Sequence, residues 1–429
     1  MAEVLGNAME LAVLAGAGLI FCSILLTPFS ARIGAPLLLL FLLFGMLAGE
    51  EGPGQVSVEE FDLVYHVGSI ALAVILFAGG LSTPLTTVRR GAAPAAALAT
   101  LGVVLTAAVV GAVAVAVLGF PLFEGLLLGA VVSSTDAAAT FLVLQQRAIE
   151  LKGRNKETFL VESGINDPTA IFLTTVLVTL VDSGAGHLSW SVLHIFVLQL
   201  GFGAAAGMVG GYLLARLVNR LHLDPGLEPV FILSGALSLF TGTQLAGGSG
   251  FLAVYLCGLL FAHLRGHRAE RTIHFHDGLA WLAQIVLFLM LGLLVTPSEL
   301  PEDLWQAGIV ALTLMFVARP LATIICLAPL GFSFREQAFV GWVGLRGAVP
   351  IFLAIIPVIS PGPVTVEFFH IVFIVVIASL VLQGWTVPWL ARRLGLAAPP
   401  AAAAALAVAI PQSRDQPHES PRTSPTASE

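Results

Sequence analysis

The chain has 429 residues, of which 57% are hydrophobic and only 10% charged, with a mean hydropathy of +0.96; an ordinary soluble domain carries about 25% charged residues. A soluble core cannot hide such an apolar surplus, whereas lipid covers it at about 20 apolar residues per crossing. Composition thus excludes a soluble domain and predicts an all-α polytopic membrane protein, while the net charge of −7 names no partner, because in a membrane the side on which charges fall matters more than their sum.

Dividing the apolar runs at their polar or Pro/Gly-rich breaks predicts thirteen transmembrane helices, starting near residues 9, 34, 63, 94, 122, 158, 189, 228, 249, 277, 305, 335 and 366. The N-terminal MAEVLGNAMELAVLAG lacks the basic region and cleavage site of a secretory signal, so its apolar run is expected to remain as the first span. Lys and Arg should collect on cytoplasmic loops. Here one set of alternate loops holds Arg32, Arg89, Arg90, Arg147, Lys152, Arg154, Lys156, Arg216, Arg220, Arg265, Arg268, Arg271, Arg335, Arg392 and Arg393. The opposite set holds no basic residue but many acids, among them Glu50, Glu51, Glu59, Glu60, Asp62, Glu124, Asp182, Glu299, Glu302, Asp303 and Glu367. This segregation predicts an outside N-terminus and a cytoplasmic C-terminus in a plasma membrane. Residues 1–396 form the expected membrane domain, and 397–429, rich in Ala, Pro, Ser and Gln, a disordered cytoplasmic tail.

Along the spans, four polar residues, Ser133 to Asp136, interrupt the fifth in AVVSSTDAAATF. The sixth carries FLVESGINDPTAIFL, where Glu162 and Asp167 lie about 140° apart around a helix and so face different directions. Ser163 precedes Asp167 by four residues on nearly the same face, where a hydroxyl can help coordinate a cation, and Pro168 frees backbone carbonyls nearby. Glycines 201, 203, 207, 210 and 211 in the seventh span suggest close helix packing rather than a phosphate loop. The loop HLRGHRAERTIHFHD, residues 263–277, invites a pH-sensor reading for its histidines, against the simpler one of a solvated basic loop. In the eleventh span Arg319 precedes Pro320, and in the twelfth, WVGLRGAVPIF, Gly344, Gly347 and Pro350 bracket Arg346. The fifth and twelfth spans both read as broken helices whose unwound middles offer carbonyls and half-helix dipoles to an ion. They lie seven helices apart, an odd offset that inverts one against the other, so helices 1–6 and 8–13 are expected to be inverted repeats.

Asp136, Glu162, Asp167, Arg319 and Arg346 are thus the charges left inside spans, each costing roughly 2.5 to 3.5 kcal/mol near the bilayer centre if unpaired. Three negatives against two positives leave one uncompensated negative charge. One monovalent cation or one proton would neutralise it, and a site that holds one or the other exchanges them one for one.

At these residues the chain resembles the NhaP-type members of the monovalent cation/proton antiporter family. The resemblance runs over about residues 8–396 and rests on LFAGGL at 76–81, SSTDAAAT at 133–140, ESGINDPTA at 162–170 and GLRGAVP at 344–350. HDGLAWLAQIVLFLMLGLLVTPSEL, at 276–300, is similar to the bacterial potassium/proton branch, many members of which continue into folded cytoplasmic domains. The resemblance implies a homodimer in which a six-helix transport unit moves against a dimerisation unit. It makes Asp167 the carboxylate that takes cation or proton, with Ser163 and the Thr135 hydroxyl or carbonyl near the ion. Asp136 then belongs to the crossover of broken helices, Glu162 pairs with Arg346, and Asn166 holds that pair. Arg319, read from its place before Pro320 alone, either tunes the pKa of a nearby acid or neutralises it. Asn166 in place of a second acid resembles the electroneutral members.

The expected partners are therefore monovalent cations, protons, the lipid bilayer and a second copy of the chain, with no nucleic acid and no cofactor. An electrogenic sodium/proton antiporter is the nearest alternative, a cation channel a more remote one. An intramembrane hydrolase lacks its HExxH or paired GxGD motif, so no enzymatic activity is expected.

Overall fold

A computed structural model describes residues 14, 16–25, 36–56, 61–147, 149–151, 154–184, 190–221 and 223–398. Nearly all of the described chain is helical. Helices α1 (Gly16–Leu25), α2 (Leu37–Ala48) and α3 (Phe61–Ser82) come first. Then α4 (Leu85–Ala97) runs through a π-helical turn, Leu98–Gly102, into α5 (Val103–Leu118), which Gly119 ends in the left-handed conformation. The fifth predicted span is two ten-residue helices, α6 (Leu122–Val131) and α7 (Ala137–Gln146). They are followed by α8 (Arg154–Ser183), α9 (Trp190–Leu221), α10 (Leu227–Leu245), α11 (Gly250–Arg265) and α12 (Glu270–Leu293). Helix α13 (Leu300–Thr313) passes through a second π-helical turn, Leu314–Ala318, into α14 (Arg319–Leu327). The twelfth predicted span is likewise two pieces, α15 (Phe334–Trp342) and α16 (Ala348–Ile359), and α17 (Val366–Arg393) closes the series. Among the described residues seven helices are long and apolar enough to cross a membrane, and six shorter apolar ones accompany them.

Local chemistry explains the ends. Asp136 caps α7 by accepting from the Ala139 amide, Ser249 caps α11, and Ser333 with Glu336 forms a reciprocal capping box on α15. Pro320 lies two residues past the second π-helical turn: a proline has no N–H to donate and crowds the carbonyl four residues back, at Phe316 within the turn, so the helix widens there.

Two layers of helices result. One packs α2, α3, α9, α10, α11 and α12 together; the other packs α4 to α8 with α13 to α17. The layers meet where α16 touches α3 and α12, and where α8 touches α3 and α11. In the first layer Gly203, Gly207 and Gly211 share one face of α9, and a Cβ on any of them would press into the α11 backbone at Ser249, Ala253 or Cys257. These glycines are packing residues, as expected of small side chains at four-residue spacing. The outward face of α9 leaves Val197, Phe202, Val209, Leu213 and Leu217 exposed, an apolar surface suited to lipid.

Residues 263–277 are the end of α11, a 3-10 turn and the start of α12, in which His276 is buried against the Phe77 ring with its Nδ1 on the Thr272 carbonyl at 2.7 Å. Composition starts the tail at 397, yet Ala397 and Ala398 pair with Leu151 and Glu150 as a two-residue antiparallel bridge, a small exception to the all-helical expectation. The expected disorder of 399–429 lies outside the described residues, as do Lys152 and Arg32 of the basic loops.

Candidate functional site

The two interruptions meet. Between α6 and α7 the chain is unwound from Val132 to Asp136, and between α15 and α16 from Val343 to Gly347. They are tied by hydrogen bonds: the Asp136 amide donates to the Leu345 carbonyl at 2.8 Å, and the Thr140 hydroxyl donates to the Val343 carbonyl at 3.3 Å. A side chain at Gly347 would collide with the Asp136 carboxylate, so only glycine lets the two segments cross this closely. Each break leaves helix-end amides and carbonyls without helical partners, and a membrane interior offers no water to satisfy them. The crossing itself supplies the partners.

Four of the five intramembrane charges, Glu162, Asp167, Arg319 and Arg346, are buried, and Asp136 is half-buried. Their pairing differs from expectation. Glu162 pairs with Arg319, whose Nη2 lies 2.5 Å from its Oε1. Arg346 does not reach Glu162 by a hydrogen bond; its Nη1 donates to the carbonyls of Ser133, at 2.7 Å, and Ser134. The physical reason is the break itself: unwinding at 132–136 exposes carbonyls that need a cation more than a carboxylate already served by Arg319 does. The Arg346 amide is bound in turn by the Ser379 hydroxyl at 3.1 Å, and Gln383 joins Ser379 to the Trp342 carbonyl.

Asn166 turns its amide to the hydroxyl and carbonyl oxygens of Thr135, at 2.6 and 3.2 Å, rather than to a Glu162–Arg346 pair. In this conformation both Thr135 oxygens are therefore engaged, the hydroxyl also lying 3.5 Å from Glu162. Ser163 accepts from the Ala137 amide at 3.2 Å, at the first turn of α7. Asp167 accepts a hydrogen bond from the Ser134 hydroxyl, and among the described residues no basic side chain pairs with it.

Asp136, Ser163 and Asp167 line a cavity of about 210 Å³, walled on the first layer by Ser82, Thr83 and Tyr255. This cavity shares Ile75, Gly79, Ser82, Ala138, Phe141 and Gln284 with a larger one of about 400 Å³, lined further by Gln145, Asp277 and Trp281. The second opens at the edge where the basic loops lie, beside the ends of α3 and α7. Beyond Pro168 a separate cavity of about 230 Å³ lies towards the acidic edge, bounded by Tyr65, Gln199, Gln244 and Ser249. Tyr65 stacks on Phe352 with ring centroids 5.3 Å apart, joining α3 of one layer to α16 of the other.

Three residues that carry this geometry were not singled out in the sequence. Ser134 sits in the polar run and serves Asp167 across the crossover. Ser379 and Gln383 brace Arg346, and their signal was legible as two polar residues four apart in an apolar span.

Comparison with known proteins agrees with this construction. Residues 18–393 match the family model described as "Sodium/hydrogen exchanger, transmembrane". The chain is 46% identical over 393 residues to the K(+)/H(+) antiporter NhaP of Alkalimonas amylolytica, covering 92% of this chain and 68% of that protein. It is 42% identical over 390 residues to the K(+)/H(+) antiporter NhaP2 of Shewanella sp. (strain MR-4), covering 90% and 67%. Among solved structures it is similar to the sodium proton antiporter MjNhaP1 of Methanocaldococcus jannaschii at pH 8, with a TM-score of 0.76 and 25% identity over 90% of this chain and 99% of that one. A family model that spans the crossover and both layers, with relatives matched across the same region, leads to one conclusion: the chain belongs to the sodium/hydrogen exchanger family of transmembrane cation/proton antiporters.

Proposed function

We propose that the protein exchanges one monovalent cation, K⁺ or Na⁺, for one proton across a bacterial inner membrane, with Asp167 as the carboxylate that holds either. The observation that carries this reading is the contrast between Asp167 and its neighbours. Glu162 has Arg319, Arg346 has the Ser133 and Ser134 carbonyls, and Asp136 caps α7, whereas Asp167 borders a cavity and, among the described residues, has the Ser134 hydroxyl as donor and no basic partner. An ionised carboxylate in such a place needs a cation or a proton. Because the two compete for one group, apparent cation affinity falls as pH falls.

Ser163, on the same cavity wall, is the side-chain oxygen placed to share a bound ion with Asp167, and Asp136 lies across from it. Alternating access would follow from movement of the layer holding α4–α8 and α13–α17 against the layer holding α2, α3 and α9–α12. Both breaks and their braces belong to the first of these, so the carrier would travel with its whole crossover. The other layer would face a second copy of the chain in a homodimer. Charge segregation supports a cytoplasmic C-terminus and an outside N-terminus. The two matched breaks, and a π-helical turn in the span before each of them, support inverted repeats of helices 1–6 and 8–13.

Relatives named for K⁺/H⁺ exchange favour K⁺; the structural relative, a sodium proton antiporter, favours Na⁺. Proton flux in proteoliposomes of the pure protein, with K⁺, Na⁺ or Li⁺ added in turn and voltage clamped or free, decides the ion and the stoichiometry. Cation-dependent, voltage-insensitive proton movement is expected. A voltage-driven rate would make the exchange electrogenic, and cation flux without proton movement would mean a channel and would sink the role of Asp167.

A further inference from the structure

The cavity nearer the basic loops contains one feature that the exchange at Asp167 does not use. Asp277, near the start of α12, lines its wall and accepts a hydrogen bond from the Ser82 hydroxyl of α3 at 3.0 Å. Gln145, Gln284, Phe141 and Trp281 complete the polar and aromatic part of the wall. Asp277 is the acidic side chain on that wall, and the basic loops adjoin it in the chain: Arg147 follows α7 and Arg271 precedes Asp277 on α12, while Arg265 is paired with Glu228. Positive charge at the mouth of a funnel depletes cations from it, and field lines concentrate in a narrow opening with low-dielectric walls. A carboxylate set in that opening reverses the local sign where it matters.

The position of Asp277 matters as much as its charge. It sits on α12, in the layer opposite Asp167, and α12 packs along α2 and α3. Asp167 belongs to the layer proposed to move; Asp277 would stay with the other. Gln284, two turns further along α12, lines both cavities and so marks the passage between them. The Ser82 hydroxyl donates to one oxygen of Asp277, and the residue lines an open, wettable volume of about 400 Å³.

We propose that Asp277, with Ser82, Gln145 and Gln284, forms a second, weak site for monovalent cations at the cytoplasmic mouth, which raises their local concentration before they reach Asp167. The proposal rests on the exchange assigned above. It predicts a one-sided effect: Asp277 governs cation capture from the cytoplasmic face and has no part in capture from the other.

The test uses the full chain in everted vesicles, whose accessible face is cytoplasmic, and in right-side-out vesicles, with K⁺ or Na⁺ chloride as the probe. Asp277→Asn is expected to raise the apparent KM for the cation about threefold to tenfold in everted vesicles while the rate at saturating cation holds. KM in right-side-out vesicles stays as in the unsubstituted protein, Asp277→Glu restores the everted value, and added choline chloride shrinks the difference by screening. An unchanged KM on the cytoplasmic face, or an equal rise on both faces, overturns the proposal while leaving Asp167 as the carrier. If Asp277→Asn does not accumulate in the membrane, Gln284→Glu, which adds a carboxylate to the same passage, should lower the cytoplasmic KM; no decrease there overturns it too. Absence of cation-dependent proton movement in the unsubstituted protein removes both readings at once.

Discussion

Arg319 Nη2 lies 2.5 Å from Glu162 Oε1, with both side chains almost wholly removed from solvent. This pair joins α14 to α8 about one and a half turns before Asp167, and it engages the Arg319 guanidinium with Glu162 rather than with Asp167. Breaking a buried pair from one side leaves an uncompensated charge and costs about 3–5 kcal/mol, whereas replacing both partners by apolar groups costs far less. Arg319→Leu should therefore lower the melting temperature in detergent strongly, and Arg319→Leu with Glu162→Leu should recover most of the loss. Additive losses in the double variant would show that the two groups do not act as a pair.

Asp167→Asn keeps the shape of the side chain and can still bond Ser134, so the protein should reach the membrane and melt near the unsubstituted temperature. Proton flux driven by K⁺ or Na⁺ should be abolished. Retained exchange would move the carrier elsewhere, with Asp136 the nearest alternative on the same cavity wall.

Removing the Ser134 hydroxyl takes away the donor that stabilises Asp167 in its charged form; a hydrogen bond to a charged group contributes about 1.5–3 kcal/mol. At a fixed pH Ser134→Ala should weaken apparent cation affinity about tenfold, while Ser163→Ala, which unseats the Ala137 amide as well, should also lower stability. Cation titrations of proton flux, paired with melting curves, separate the two effects.

Gly164 on α8 faces the ring of Tyr255 on α11, so that a Cβ there would run into the phenol. Overpacking of this kind costs typically 1–3 kcal/mol, and here it falls between the two layers. Gly164→Ala should slow exchange more than it destabilises the protein, and the smaller Tyr255→Leu should rescue it. Failure of that rescue would place the fault in α8 itself.

Away from the membrane interior, Glu51 in the loop after α2 accepts from the hydroxyl and the backbone amide of Ser298 in the loop before α13. The Ser298 hydroxyl, then its amide, hold this carboxyl below the usual value. A lowered folded pKa gives a contribution that is present above the unfolded value and is lost as pH falls through the folded one. Protection of the amides of residues 49–56 against hydrogen exchange, taken relative to the intrinsic rate at each pH, should accordingly fall on acidification, and Glu51→Gln should show the lower protection already at neutral pH.

Much of the helix series was legible because apolar runs bounded by polar or Pro/Gly-rich breaks mark out helices directly. The breaks at Ser133–Asp136 and Gly344–Gly347 were legible too, since a polar run or a glycine pair inside an apolar span has few other readings. What the sequence could not settle was which guanidinium meets which acid. Arg319 and Arg346 lie 157 and 184 positions beyond Glu162, and their reach depends on how α14 and the α15–α16 break approach α8. Helical spacing likewise placed Ser163 beside Asp167, but Ser163 serves the Ala137 amide, and Ser134 reaches Asp167 from another segment altogether. The π-helical turns carried no sequence signal beyond the neighbouring Pro320.

Arg346 binds carbonyls 212 and 213 positions earlier in the chain. At about 5–20 residues per second, synthesis takes roughly 10 to 40 s to cover that separation. Through that interval α6 and α7 are already made, their unwound ends lacking the residues that will satisfy them. Contacts so distant in sequence are the last to form, and the centre of the protein is therefore completed only when its final helices arrive.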